Sequence, residues 1–250
     1  MPTRENIKKF QYSDSIHRSV WDKRYQQEEF EVGPVTSKIG GGAAGGTAGD
    51  ENLLMTPKTC LQYHILGTQT ITAPTAVAAG LDLGSMDATN TDGLEINTGV
   101  LTNNPFAWKV GEDAAFFIRI RATITTVAGT DDFAIGFRKQ EANQANVDDY
   151  ADMAAINIIA GDIKTETIVG GAATVTTDTT DNWADAESKW IEVQVSSAGV
   201  VSYKIDNAEP TTVVDYTFTD ALTLIPFVYF MENATTAGSL PITWECGFVE

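Results

Sequence analysis

Two histidines, two cysteines and a few groups of close carboxylates are the residues of this chain that could do chemistry. His17 and His64 lack a Ser or Cys neighbour at the spacing of a nucleophile elbow, and neither a His-x-x-x-His nor a Cys-x-x-Cys pair occurs. A hydrolytic triad or zinc centre would therefore have to use His64, and a hydrogen-bonded strand histidine is the simpler reading. Glycoside hydrolysis needs two carboxyl groups facing each other across a sugar. Glu112-Asp113, Asp131-Asp132, Asp148-Asp149 with Asp152, and Asp185 with Glu187 are the candidates. All fall in turn-like segments, so the expectation is a protein that is not an enzyme. The same carboxylates suit a hard cation. Asp148, Asp149 and Asp152 form the best group for calcium, with Asp131 and Asp132 second, although EF-hand spacing is missing; no other cofactor is expected.

Cys60 and Cys246 have no metal-type spacing. They stand near opposite ends of the β-rich region. A contact or bridge between first and last strands is one reading, and two reduced, buried thiols are the other. Among the aromatics, Trp183 and Trp190 could stack on a glycan or anchor an interface, with packing beneath a loop or sheet margin as the alternative for Trp190. Trp108 and Trp244 lie among apolar neighbours and read as core.

The elements that must position these residues are strands. Phe116, Ile118, Ile120, Ala122 and Ile124 alternate with Phe117, Arg119, Arg121 and Thr123, the period-two pattern of a half-buried strand. Phe133, Ile135 and Phe137 repeat it. Ile191, Val193 and Val195, then Val201, Tyr203 and Ile205, predict a hairpin closed at Ser196–Gly199. Segments 222–231 and 242–249 close the series, and Pro226 predicts an edge or a bulge. Residues 141–155 are the one helix-tolerant stretch of the body.

Three parts follow: an arm at 1–39, a glycine-rich linker at 40–55 and a β-domain at 56–250. The arm is polar with sparse large apolar residues, and its i to i+4 steps (Ile16 to Val20, Trp21 to Tyr25) predict a short helix capped near Ser13 or Asp14. The run from Gly40 to Gly49 reads as a tether rather than a phosphate loop, because no Lys-Ser or Lys-Thr follows. Acidic groups outnumber basic ones 34 to 16, giving −18. Charges balance over residues 1–50, so the whole excess lies in the body. Such a body repels phosphate backbones, which argues against nucleic acid or anionic membrane as partner. The first ten residues lack an apolar signal core and no run of 18 apolar residues occurs, so neither secretion by that route nor a membrane span is expected.

From Ala115 onward the strand pattern resembles the concanavalin A-like, laminin-G-like jelly roll. Its matching strands are Phe116 to Ile124, Phe133 to Arg138, Trp190 to Val195, Val201 to Asp206, Leu224 to Phe227 and Ile242 to Val249. With the basic-tipped arm and glycine hinge, the whole resembles the decoration, cement or head-fibre proteins of tailed-phage virions. That resemblance implies an all-β jelly-roll sandwich with an extended, partly helical N-terminal arm, located on the capsid surface of a virion assembled in the host cytoplasm. It implies the major capsid protein as partner, a homotrimer, no nucleic acid, no membrane and no catalytic residues. The arm would bind through Ile7, Phe10, Val20, Trp21, Tyr25 and Phe30, guided by Arg18, Lys23 and Arg24. The alternative is a lectin-like adhesion module holding a host-surface glycan through Trp183, Trp190 and nearby acidic loops. A glycan depolymerase is third.

Overall fold

The computed structural model describes residues 25–30, 34–38, 46, 49–56, 59–68, 70–84, 89–100 and 106–249. Over these residues the chain is all-β, two curled antiparallel sheets stacked as a jelly-roll sandwich, as expected. One sheet has eight strands: β1 (Gln26–Glu28), β5 (Thr75–Val77), β6 (Gly80–Asp82), β9 (Phe116–Thr123), β14 (Ser188–Val195), β15 (Val201–Ile205), β17 (Pro241–Ile242) and β18 (Trp244–Phe248). The other has ten. In spatial order these are β13 (Val175–Asn182), β12 (Asp162–Ile168), β11 (Met153–Ile159), β10 (Thr130–Lys139), β16 (Thr223–Glu232), β7 (Gly93–Asn97), β4 (Cys60–Leu66), β3 (Glu51–Met55) and β2 (Val35–Lys38), with β8 (Trp108–Lys109) beside the start of β16.

The alternation read from sequence sets the layers. Phe116, Ile118, Ile120 and Ala122 of β9 face inward and are buried, while the residues between them are half-buried on the outer side. The β14–β15 hairpin pairs Ile191 with Ile205 and Val195 with Val201. Gly199 closes it at φ +85°, where a Cβ would meet the Phe218 carbonyl oxygen at 2.5 Å, so only glycine fits. Between the sheets, Trp108 stacks on Phe116 at 5.4 Å between centroids and Phe137 meets both rings edge-on. Trp108 and Trp244 are fully buried, in agreement with their sequence context. β17 and β18 are two halves of one strand beside β9, broken at Thr243. There the Thr243 hydroxyl accepts the Arg121 N–H and the Thr243 N–H donates to the Arg121 carbonyl, each at 2.9 Å.

Several expectations need correction. The sandwich takes in residues assigned to the arm and linker: β1 pairs with β18, β2 pairs with β3, and Gly46 exchanges two backbone hydrogen bonds with Ile71. A domain start at residue 56 therefore falls too late. Phe30, expected to anchor a partner, is 1% exposed within the core. Its backbone sits at φ 54°, which costs an L residue about 1–2 kcal/mol, and burial of the ring, worth roughly 1.5–3 kcal/mol, offsets this. Pro226 lies inside the ten-stranded sheet, not at its edge. It is tolerated where β8 and β7 leave residues 225–226 unpaired on one side of β16. The stretch 141–155 forms a loop with a single 3₁₀ turn, Val147–Asp149, before β11 begins. Cys60 and Cys246 are free thiols, the first exposed on β4 and the second buried in the opposite sheet. The predicted arm helix, with Ile7, Phe10, Arg18, Val20, Trp21, Lys23 and Arg24, lies outside the described residues.

Candidate functional site

The outer face of the ten-stranded sheet carries a dense polar network, and period-two alternation puts it there. In β4, Leu61, Tyr63 and Ile65 fill the core, so Gln62, His64 and Leu66 face outward. In β7, Leu94 and Ile96 point in and Glu95 and Asn97 out. Cross-strand register then aligns Glu51, His64, Glu95 and Tyr229 in one row and Gln62, Asn97 and Phe227 in the next. Arg138, outward on β10, is drawn into the first row by its length.

The 140–150 loop folds over this face. Val147 and Tyr150 from the loop pack with Leu66, Met153, Ile168, Phe227, Tyr229 and Met231 into a second, smaller apolar cluster. An outer sheet face is ordinarily wet; this one is largely closed by the chain itself. Beneath the loop, Arg138 and Glu95 are each 0% exposed and pair at 2.6 Å. All five guanidinium N–H groups have acceptors. Nε and Nη2 donate to Glu95 Oε1, Nη2 also donates to Asn143 Oδ1, and Nη1 donates to the Lys139 and Glu141 carbonyls. The guanidinium lies 4.2 Å above the Tyr150 ring, whose hydroxyl donates to Glu95 Oε2. Burial first, and the Glu95 charge second, push the Tyr150 hydroxyl well above the ordinary tyrosine range. Asn97 Nδ2 donates to Glu95 Oε1 at 2.8 Å, and Asn143 Nδ2 donates to Glu51 Oε1 at 3.1 Å.

His64 ends this network. It is 9% exposed and lies between Glu51 and Glu95, yet its Nδ1 is buried with no hydrogen-bond partner. Burial holds its pKa below the usual histidine value, against the opposing pull of Glu95 and Glu51, so the ring is neutral at pH 7. An orphaned buried nitrogen costs about 1–3 kcal/mol, and a neutral imidazole nitrogen can donate to or accept from a hydroxyl.

No family model matches this sequence, and no curated protein matches it. Solved structures do. The carbohydrate recognition domain of Emp46p in its potassium-bound form superposes with a TM-score of 0.51 at 8% identity, over 75% of this chain and 89% of that one. A single-site mutant of the same domain gives 0.52 over the same shares, again at 8% identity. The alginate lyase PA1167 from Pseudomonas aeruginosa gives 0.45 at 12% identity, over 69% of this chain and 82% of that one. What is shared with the Emp46p domain is the fold.

The sites expected from sequence are not assembled. Trp183 is 2% exposed, its indole N–H donates to the Glu187 carbonyl at 3.0 Å and its ring packs against Phe133, so it is no sugar platform. Trp190 is half-buried on the outer face of the eight-stranded sheet, with the Arg119 guanidinium 4.2 Å from its ring and that of Arg121 at 5.8 Å. Asp148 and Asp149 are exposed on the 3₁₀ turn, whereas Asp152 is buried and accepts the Gly170 N–H at 3.0 Å. Among the described residues, no group of three His, Cys, Asp or Glu side chains could hold a metal ion. Tyr25 is 45% exposed and donates to Glu245 at 2.8 Å. The elements of the network stand in the sequence as Gln-x-His and Glu-x-Asn within apolar alternation.

Proposed function

We propose that this chain is a carbohydrate-binding jelly-roll module that holds its ligand at the His64 end of the ten-stranded sheet and cleaves no bond. The observation that carries the reading is the orphaned Nδ1 of His64, beside a network in which Glu95, Arg138, Asn97, Asn143 and Tyr150 bond to one another. Sugar hydroxyls supply the missing partner once the imidazole rotates to bring Nδ1 to the surface. Gln62 and Glu51, half-buried on either side of His64, add amide and carboxylate groups of the kind that orient hydroxyls.

Glu95 and Tyr150 are withdrawn from acid–base work by how they are spent. Glu95 uses both oxygens on Arg138, Asn97 and Tyr150, and the Tyr150 hydroxyl is committed to Glu95. A general base must reach a substrate proton, and these groups reach only each other. In this reading residues 1–24 tether the module, with Trp21 and the basic residues Arg18, Lys23 and Arg24 contacting the carrier, and host-surface glycan is the target.

Calorimetric screening of the full chain against an oligosaccharide panel tests this. Binding of at least one sugar is expected, weakened at least tenfold by Gln62→Ala and by His64→Ala, with Trp190→Ala binding as wild type. Thermal melts of each variant separate lost contacts from lost fold. A panel without binders, or a Trp190→Ala variant that alone loses binding, overturns the proposal.

A further inference from the structure

Resting on that reading, we infer that the His64 site selects uncharged sugars and rejects those bearing carboxylate or sulfate. The argument is one of charge and of donors already used. An anionic sugar is normally held by a guanidinium or ammonium group that offers paired donors. The cation of this network is Arg138. It is 0% exposed, and its five N–H groups are distributed over Glu95, Asn143 and two backbone carbonyls, so none remains for a ligand.

Among the described residues, the other charges beside His64 are of the opposite sign. His64 stands between Glu51 and Glu95 on adjacent strands, and Arg138 neutralises one of the two. A uronate carboxylate brought to His64 would meet the remaining negative charge in a site sheltered from water, where screening is weak. The body's acidic excess adds to this at longer range. A neutral sugar meets none of these penalties, because its hydroxyls can donate to Glu51 and either donate to or accept from the neutral imidazole.

Carboxyl reduction supplies a matched pair of probes: oligouronates, and the same oligomers with each carboxylate reduced to a primary alcohol, at identical length and linkage. Isothermal titration at low salt is expected to give at least tenfold tighter binding for the neutral member of whichever pair binds. Glu51→Gln is expected to narrow that gap, and its melting curve shows whether the fold is kept. A uronate that binds as well as or better than its reduced form overturns the inference while leaving carbohydrate binding intact. Silence from both members of every pair, and from neutral oligosaccharides, overturns the reading and the inference together.

Discussion

Asn157 joins two carboxylates on the outer face of the ten-stranded sheet: its Nδ2 donates to Asp132 at 2.6 Å and to Glu166 at 2.8 Å. Burial is the main cause raising the pKa of each and the Asn157 bond opposes it, while Asp131 and Asp148 add to the rise at Asp132, and Asp132 and Asp148 add to it at Glu166. A carboxyl raised in the folded state holds its proton to higher pH than in the unfolded chain. Its contribution to stability is therefore fully present below the ordinary carboxylate pKa and is lost as pH rises through the raised value. Denaturant midpoints should increase as pH falls from 7 toward the ordinary carboxylate range, and Asp132→Asn with Glu166→Gln should flatten that rise. At the same scale, His64 entered the sequence reading only as a strand histidine and Gln62 not at all, although both alternate with Leu61, Tyr63 and Ile65. The pairing of Arg138 with Glu95 was not legible, because the two stand 43 residues apart and meet only through the registers of β7, β16 and β10.

The loop over that face is an element held by a few hydroxyls and one guanidinium. Tyr229 donates to the Ala145 carbonyl at 3.0 Å, and the Tyr150 hydroxyl accepts the Gln144 N–H at 3.2 Å. Tyr229→Phe removes one neutral hydrogen bond, worth about 1 kcal/mol, and should speed amide exchange across residues 143–149 ahead of the strands. Arg138→Ala leaves the Glu95 charge buried without its counter-ion, a loss of roughly 3–5 kcal/mol that urea unfolding would read directly. The helix-tolerant composition of this segment misled because helical propensity is weak beside tertiary packing. Val147 and Tyr150 are spaced to drop into the apolar pocket between Phe227 and Met231, not to line a helix. Strands β9, β10, β14 and β15 were readable because each alternates cleanly. β1 was not, because Gln26, Gln27 and Glu28 carry no strand preference and are ordered by pairing with Trp244–Cys246.

For the whole molecule, these pairings move the boundary of the domain. β1, Phe30 and β2 belong to the sandwich. Removing residues 1–50 should lower the melting transition sharply, since the loss of Phe30 alone is a large-to-small deletion of about 3–5 kcal/mol and two strands go with it. The acidic body and the loop-covered outer face frame His64, whose imidazole is unpartnered among the described residues. The two histidines make that position easy to observe, because nitrogen-15 labelling of histidine gives only two imidazole spin systems, with His17 as the internal control. On saturation with a neutral oligosaccharide that binds by calorimetry, the His64 Nδ1 resonance should shift while those of His17 stay in place. Calorimetric binding with the His64 resonances unmoved would contradict the account.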